Sequence, residues 1–450
     1  MRACFVYFSL IFLLVKAKCT FLHAHFLGCM EAFADFWSIN YKPKIIHMKH
    51  FLILLRGALL PNRCLLGVLL AFLMVGCTEK RSEGQEEITS IVIDWDNISD
   101  NLDYSSWVED SVLVVPLETR EDCLIGTISN LIYQNHRIYV VDNMSNAVYV
   151  FDETGRLQSK VCSVGNGPKE YLGITAFAVQ ESRMFIYDKM KGKIMVYDEN
   201  GQFVYSKDAS RIWGMDMFIQ GKDIYIVNVG SISDMGYYSL YKLPVAEGND
   251  EVEAFLPFDD PGNTGWGIDR YTSASADEAM FTIWPFDVLY GVKEGKVGAV
   301  YKVDFGDRRL PEQYIKADGA TALKTAIRDN YITGIEWMVQ SEKRLLFSYS
   351  DAKGKMISIY DRETGKVNTT HELYNKYLGG LACSPRQLYM QDGYMISYRA
   401  MDAWCLEGEL ADWNYDERDF HSEYVRSMFK KFRQMDEESN PVVIIQKLKE

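Results

Sequence analysis

The stretch RIYVVDNMSNAVYVFDETGRL, from Arg137 to Leu157, returns 46 residues later as RMFIYDKMKGKIMVYDENGQF, from Arg183 to Phe203. Each copy holds two short runs rich in β-branched and aromatic residues, joined by a polar turn and closed by Asp-Glu-x-Gly. β-Branched and aromatic residues favour strands, whereas Asp and Gly favour turns. The stretch therefore predicts a repeated β-hairpin, with Gly155 supplying a left-handed turn position.

Flanking sequence extends this hairpin into a unit of four strands. In the first unit, TISNLIYQNH precedes Arg137 and LQSKVC follows Gly155. Fainter copies pair DIYIVN at Asp223 with YYSLYKL at Tyr237, DVLYGV at Asp287 with KVGAVYKVDFG at Lys296, RLLFSYS at Arg344 with KMISIYDRETGKV at Lys355, and the two halves of QLYMQDGYMISYRA at Gln387. Six antiparallel units of about 46 residues have the size and content of propeller blades.

The last unit is short of strands, and the two ends of the repeat region can complete it. VVIIQKL begins at Val442 and SVLVVPL begins at Ser111. Pairing these segments in one blade would close the ring and remove free sheet edges. The sequence therefore predicts an all-β fold over residues 88–450, a six-bladed β-propeller of four-stranded antiparallel blades, with one or two inserted helices.

Two segments depart from the strand pattern and predict the inserted helices. ADGATALKTAIRDN begins at Ala317, and a longer segment begins at Asp416. The longer one carries an apolar stripe at helical spacing, made of Phe420, Tyr424, Met428 and Phe432 with Val425 and Phe429 beside it. The stripe predicts a helix packed on the propeller. We expect inserts at 244–285 and 402–440 to join the propeller loops in forming a binding site.

The segment before the repeats has the pattern of an export signal. An apolar run from Leu65 to Val75 follows the basic residues Lys49, Arg56 and Arg63. Eleven apolar residues are too few to span a bilayer as a helix, which needs about 20, but they match a signal-peptide core. The run ends at Gly76-Cys77, and the composition then turns polar.

The end of that run, Leu73-Met74-Val75-Gly76-Cys77, resembles the lipobox of bacterial lipoproteins. The resemblance implies that residues 48–76 are a lipoprotein signal peptide, that Cys77 is lipidated, and that residues 77–87 are a polar linker. An ordinary secretory signal with a chance cysteine is the alternative.

Residues 1–47 fit no part of such a signal, which should begin at the N-terminus. We interpret them as an upstream extension from a misassigned start codon, with translation beginning at Met48. A first membrane segment at Phe5–Val15 is the rival interpretation, and its 11 residues are short for a span.

The repeat region resembles the NHL-type six-bladed β-propellers, and especially the lipid-anchored propeller proteins of Bacteroidetes. The resemblance is carried by VPLET from Val115, the IYVVD and VYVFDETG runs, GNGPKEY from Gly165, and the closing NPVVIIQKL from Asn440. Lys169 stands where members of that group often have Gly. The resemblance specifies the fold and not a function, because propellers carry many activities.

Charge excludes one class of partner. Eight of the 48 basic and two of the 62 acidic residues lie in residues 1–77, which leaves 40 basic and 60 acidic residues in the rest. A body with that surplus of acid repels phosphate backbones, so we expect no nucleic-acid partner. Four cysteines follow Cys77 without a CxxC pair, which leaves the disulfide state open: Cys123, Cys162, Cys383 and Cys405.

The sequence carries little of the chemistry that enzymes use. Three histidines follow the signal, His136, His371 and His421, and their spacing predicts no zinc site. There is no G-x-S-x-G nucleophile motif and no P-loop. No cofactor is identified, but calcium remains a candidate, because the axial calcium of propeller lactonases is held by residues from separate blades that leave no local motif.

Aromatic residues in two long polar stretches are the candidate ligand-facing side chains: Trp266, Tyr271, Trp284, Trp404 and Trp413. Aromatic rings beside Asp and Asn suit stacking on a sugar, although they also suit packing between blades.

These observations favour an exported protein, lipid-anchored to the cell envelope at the outer membrane, whose propeller binds a protein or carbohydrate ligand and is not an enzyme. A calcium-dependent lactonase or related hydrolase on the propeller axis is the first alternative. A structural subunit of an envelope complex is the second.

Overall fold

The strands of the protein form six sheets in a ring. The computed structural model describes residues 88–259, 267–275, 278–315, 319–400, 420–432, 435 and 438–449. The innermost strands of neighbouring sheets contact one another, and the sixth sheet contacts the first. This arrangement confirms the predicted six-bladed β-propeller. Contacts group residues 86–450 into one compact unit.

The first three described strands run along the outside of three blades. Strand β1 (Thr89–Val92) lies parallel to the outer strand of blade 4, and β2 (Ile98–Asp103) lies parallel to the outer strand of blade 5. After a single 3-10 turn, β3 (Val108–Pro116) becomes the outer strand of blade 6. The sequence predicted only the third of these strands, so the two parallel edge strands are additions to the four-stranded pattern.

Blades 1 to 3 follow one another along the chain, each with four antiparallel strands counted from the axis outward. Blade 1 contains β4 (Ile128–Gln134), β5 (Arg137–Asp142), β6 (Ala147–Asp152) and β7 (Leu157–Val161). Blade 2 contains β8 (Ala176–Gln180), β9 (Arg183–Asp188), β10 (Lys193–Tyr197) and β11 (Phe203–Asp208). Blade 3 contains β12 (Asp216–Gln220), β13 (Asp223–Val227), β14 (Tyr238–Pro244) and β15 (Glu253–Pro257).

Blades 4 to 6 carry the irregular additions. Blade 4 contains β16 (Thr272–Ala274), β17 (Ala279–Thr282), β18 (Val288–Lys293) and β19 (Lys296–Asp304). Blade 5 contains β20 (Trp337–Gln340), β21 (Arg344–Asp351), β22 (Gly354–Asp361) and β23 (Val367–Asn375), with the short β24 (Leu381–Cys383) paired to β23. Blade 6 contains β25 (Leu388–Gln391), β26 (Tyr394–Arg399), β27 (Val442–Leu448) and β3.

The prediction of an insert over residues 244–285 is wrong where three strands fall within that range. The outer strand of blade 3 and the two innermost strands of blade 4 fall within it. These strands are short, and polar residues surround them, so the local pattern resembles a loop. They form because neighbouring strands supply hydrogen bonds and a buried face, which is a tertiary effect.

Burial explains why the middle strands are almost wholly apolar. In β5 and β6, ten of the twelve residues are buried, because each blade packs both of its faces against neighbours. The outer strand β7 instead alternates between exposed and covered side chains. Continuous apolar runs are expected for strands buried on both faces, and alternation for strands with one solvated face.

The turns follow the chemistry that the repeat predicts. Gly155 has φ of +83°, and a Cβ there would overlap the carbonyl oxygen of Pro116 in the neighbouring blade. Gly201, at the matching position of blade 2, has φ of +76°. Two-residue hairpins between the first and second strands use positive φ at both central residues, as at Asn135 and His136. That geometry matches the twist of the flanking strands.

The two ends of the propeller meet in blade 6, as predicted. Val443 lies opposite Val115 in the antiparallel pair of β27 and β3. Asn440, just before β27, is buried and holds the chain that follows β3. Its amide nitrogen donates to the carbonyl oxygens of Glu118 (2.7 Å) and Cys123 (2.5 Å).

Within the described part of the chain, three α-helices lie outside the blades: α1 (Glu312–Ile315), α2 (Gly319–Arg328) and α3 (Glu423–Phe432). The last two confirm the predicted helices. Helix α3 buries Val425, Met428 and Phe429 against blade 6, together with Phe432. Tyr424 departs from the predicted stripe, because it points to solvent with 47% of its surface exposed.

Two further observations concern cysteines and the membrane. Cys123, Cys162 and Cys383 form no disulfide within the described part of the chain, and Cys405 lies outside it. Among the residues that the structure describes, no helix is long and apolar enough to cross a membrane.

Candidate functional site

The innermost strands of the six blades surround an axial channel of about 690 Å³. Each of these strands pairs with a neighbour on one side only, so its other edge turns backbone N–H and C=O groups toward the axis. The face at which these strands begin is called the upper face, and the face at which they end is called the lower face. Polar side chains from blades 1, 2, 3, 4 and 6 line the channel.

Asp216 begins β12 and joins blade 3 to blade 4 at the channel wall. One carboxylate oxygen accepts a hydrogen bond from the hydroxyl of Thr272 at 2.8 Å, and the other accepts from the backbone N–H of Met217 at 2.8 Å. Burial raises the pKa of Asp216, although these hydrogen bonds and the nearby charge of Arg270 act in the opposite direction. The carboxylate is therefore easier to protonate than an ordinary aspartate.

Arg270 precedes β16 and reaches across to blade 6. Its guanidinium lies 3.8 Å from the ring centroid of Tyr389, and its Nη1 donates to the carbonyl oxygen of Leu388 at 2.9 Å. The ring of Trp337 in blade 5 also lies near the Arg270 guanidinium, with its centroid 6.0 Å away. Burial raises the pKa of the Tyr389 hydroxyl, so that group is neutral at physiological pH. Stacking on an aromatic ring holds the guanidinium plane in one orientation.

A second charged group on the upper face ties blades 4, 5 and 6 together. Asp269 accepts from the Nε of Arg386 at 2.7 Å and from the ammonium of Lys355 at 3.3 Å. Lys355 also pairs with Glu336 at 3.2 Å. Burial would raise the pKa of Asp269, but its partners, Arg386 first, lower it overall. These charges neutralise one another, which leaves Arg270 beside the channel with a stacked ring and one carbonyl as its close contacts.

Glutamines close the lower ends of the innermost strands in five blades: Gln134, Gln180, Gln220, Gln340 and Gln391. Three of them bond across blade boundaries. Gln180 donates to Gly221 O at 2.7 Å, and Gln340 donates to Ser273 O at 3.0 Å. Gln391 donates to Leu131 O at 3.0 Å and accepts from the Tyr133 N–H at 3.0 Å. The side-chain amides therefore satisfy strand-edge groups at the ring junctions.

Sequence reasoning missed both the glutamines and the Asp216–Arg270 wall. The glutamines had a signal, because each follows a run of apolar residues and precedes a tight hairpin. Asp216 and Arg270 had none, since they stand in different blades and in unrelated local patterns.

The structure places two of the five predicted aromatic residues. Tyr271 lines the channel, and its hydroxyl accepts from the Ile268 N–H at 3.2 Å. Trp284 packs edge-to-face on Phe286 in the core of blade 4, with ring centroids 5.4 Å apart. The other three candidates lie outside the described residues: Trp266, Trp404 and Trp413. The proposed lipidation site, Cys77, lies outside them as well.

The histidines make separate contacts. His136 contacts Glu153 at 2.8 Å, and His421 packs against Tyr377 with ring centroids 4.5 Å apart and the planes tilted by 50°. His371 faces the carbonyl oxygen of Lys355 at 3.3 Å. Over the described ranges, no three His, Cys, Asp or Glu side chains come together as possible metal ligands. Calcium on the axis therefore remains a hypothesis.

Six blades around an open polar channel define the class of the protein, a six-bladed β-propeller with an axial cavity. More particularly, the chain belongs to the DUF4934 family, a family of unknown function whose model matches residues 90–447. A search of curated proteins returned no significant match.

Solved structures resemble this chain at low identity. A Bacteroides fragilis protein described as exported has 15% identity and a TM-score of 0.61, and the match covers 80% of this chain and 100% of that one. A member of the DUF4221 family from Bacteroides vulgatus has 11% identity and a TM-score of 0.43, with 77% and 99% covered. The first likeness supports the fold. The finer assignment to NHL-type propellers remains a prediction.

Proposed function

We propose that this propeller is a ligand-binding module of the cell envelope, and that its axial channel binds a small polar ligand of the saccharide class. The observation that carries the proposal is the common channel wall of Arg270 and Asp216, a fixed cation beside an easily protonated carboxylate. Such a wall offers one ligand both the N–H donors of a guanidinium and the oxygens of a carboxyl group.

The remainder of the channel favours hydroxyl-rich ligands. Strand edges and the asparagine and glutamine side chains of the lining supply neutral donors and acceptors, and Tyr271, which is 7% exposed, presents a small part of its ring. Sugars are recognised by hydrogen bonds in many directions together with stacking on a ring. The channel volume of about 690 Å³ falls within the range of small-molecule sites.

The location in the envelope rests on the lipobox-like sequence that ends at Cys77. Acylation of that residue would anchor the propeller to the outer membrane, because several acyl chains on one residue hold a protein stably. The Bacteroides fragilis protein of the same fold is described as exported, which agrees with export of this chain.

Binding is tested with purified residues 78–450, which include the whole compact unit. Calorimetry would titrate a panel of neutral hexoses, uronic acids and short oligosaccharides into this protein. We expect at least one saccharide to bind, and we expect Arg270→Gln to weaken it by about tenfold or more, because a charge-assisted hydrogen bond is lost.

Arg211→Gln is the matched control, because Arg211 is an exposed arginine that does not line the channel. It should leave the affinity unchanged. Equal weakening by both substitutions, or no binding across the panel, would count against the channel as a saccharide site.

The same protein separates binding from catalysis. After treatment with chelator, it would be titrated with Ca²⁺ and assayed with a lactone panel. Stoichiometric calcium together with calcium-dependent lactone hydrolysis would replace the binding proposal by the hydrolase alternative. Calcium without turnover would make the ion structural and leave the binding proposal in place.

A further inference from the structure

Exposed apolar side chains concentrate on one part of the upper face. Eleven large apolar residues are exposed among those described, and four are scattered elsewhere: Ile88, Val92, Val204 and Tyr424. The other seven lie in turns and loops at the upper ends of blades 1 to 3 and define what we call the methionine face: Leu124, Met144, Val164, Leu172, Met190, Met215 and Ile232. Single exposed apolar residues are ordinary, but a cluster marks an interaction site.

Three of these side chains stand at matching turns between the second and third strands of their blades. Met144 is 74% exposed in blade 1, Met190 is 69% exposed in blade 2, and Ile232 is 63% exposed in blade 3. The same position in three successive blades therefore carries an apolar side chain that lies mostly outside the propeller core.

Buried polar residues brace each turn. Asp142 accepts from the N–H of Met144 at 3.2 Å, and Asp188 accepts from the N–H of Met190 at 3.0 Å. In blade 3, Asn228 accepts from the N–H of Ser231 at 3.2 Å and donates to its carbonyl oxygen at 2.6 Å. All three braces are almost fully buried. The turns are fixed, so the exposed side chains are held outward in a set arrangement.

Neighbouring blades join these turns into one surface. The Leu172 N–H donates to Asp188 at 2.6 Å, which ties the loop before blade 2 to its turn. The ammonium of Lys189 lies 3.5 Å from the sulfur of Met215, which links blade 2 to blade 3. Met215 also lines the axial channel. The methionine face therefore borders the channel mouth and shares Met215 with the channel lining.

The charge of the face indicates what covers it. Lys189, Lys191 and Lys193 surround Met190, and none of them pairs with an acidic residue among the ion pairs of the described chain. Lys191 donates to the backbone oxygens of Gly167 and Glu170, both at 2.6 Å, and neither of these acceptor atoms carries a formal charge. In a body with 40 basic and 60 acidic residues, this turn is a local cationic site.

We propose that the methionine face docks a partner protein through a segment that carries apolar anchor residues flanked by acidic side chains. Flexible methionines adapt to apolar anchors, and the lysines attract the acidic flanks. The acidic surplus of this chain argues against a second copy and against anionic lipid, because both would meet like charge over the rest of the surface. The inference does not depend on saccharide binding in the channel.

The test uses residues 78–450 and a random library of 16-residue peptides. Peptides would be selected on the native sequence and counter-selected on M144Q/M190Q/I232Q. We expect enriched peptides to combine Leu, Ile, Phe or Met with Asp or Glu, and to bind the triple variant about tenfold or more weakly. K189E/K193E should weaken the same peptides by a similar factor, because it reverses the complementary charge.

A matched triple variant, I88Q/V92Q/V204Q, changes exposed apolar residues away from the face and should bind the peptides like the native sequence. The side chains changed in the two triple variants are all exposed, so both triple variants should keep the native melting temperature. No enrichment, enrichment of basic peptides, or equal binding to the M144Q/M190Q/I232Q variant would overturn the proposal. So would a dimer, or binding to phosphatidylglycerol vesicles, that the M144Q/M190Q/I232Q variant abolishes.

Discussion

Val115 and Val443 lie directly opposite each other in blade 6, at the two ends of the propeller chain. Their pairing joins the last strand to the first blade-forming strand, and every blade between them depends on this junction for a closed ring. The buried side chain of Asn440 adds further hydrogen bonds at the same place. Its amide oxygen accepts from the Ile125 N–H at 2.9 Å. Ring closure is therefore a property of a few residues at the chain ends.

Deleting residues 440–450 should abolish the cooperative unfolding transition, because loss of β27 exposes the faces of two neighbouring blades. Circular dichroism during heating measures the effect. Deleting only Lys449 and Glu450, which follow β27, is the control and should leave the transition close to its native temperature. A shortened chain without residues 440–450 that melts normally would contradict the importance of closure.

Gln340→Ala should destabilise the protein by about 1–3 kcal/mol, because it leaves buried partners unsatisfied. Gln340 is 3% exposed, donates to Ser273 O and accepts from Arg362 at 2.6 Å. Urea unfolding measures the change in free energy. Gln158→Ala removes an exposed glutamine and should cost less than about 0.5 kcal/mol. Equal effects of the two substitutions would mean that the glutamine junction between blades is unimportant.

Asp216→Asn should raise the stability of the protein at pH 7, by on the order of 1 kcal/mol, as is common when a functional polar group is replaced. An amide fits the site, because the Thr272 hydroxyl can turn to accept a hydrogen bond from it. The pKa of Asp216 is raised by burial. Its contribution to stability is therefore fully present below the unfolded pKa of about 3.9 and is lost as the pH rises through the folded pKa.

The gain from Asp216→Asn should consequently shrink as the pH falls from 7 toward the unfolded pKa of about 3.9, because the raised pKa favours the protonated carboxyl group in the folded state. Urea unfolding at pH 7 and pH 4 measures both values. Asp122→Asn, at an exposed aspartate outside the channel, should show no such pH-dependent gain. A variant at Asp216 that is less stable than the native protein at pH 7 would show that Arg270 outweighs burial at this site.

Cys77→Ala should release the protein from membranes into the soluble fraction, because the substitution removes the proposed acylation site. Fractionation of cells that express the full chain, followed by immunoblotting, measures the distribution. Cys123→Ala, at a buried free thiol, is the control and should leave the distribution unchanged. Retention of the Cys77→Ala protein in the detergent-extracted fraction would exclude lipidation at this residue.

The fold could be predicted from the sequence because its determinants are local and repeated. The 46-residue spacing, the apolar strand runs and the glycine at the turn after Asp152 specify one blade, and repetition specifies the ring. Turn geometry follows from residues within a few positions of each other, such as Gly155 with its positive φ. Helix α3 was predictable in the same way from its apolar stripe.

Only the tertiary structure decided the features that depend on contact between distant parts of the chain. Strands β1 and β2 form because the outer edges of blades 4 and 5 offer unpaired backbone groups. The local sequence of β1 and β2 does not predict this pairing. Arg270 and Asp216 form one channel wall because ring closure brings separate blades to the axis. The sequence by itself therefore determined the blade and its repetition through local strand and turn preferences, whereas the candidate site arises from where the closed ring places side chains that are distant in the chain.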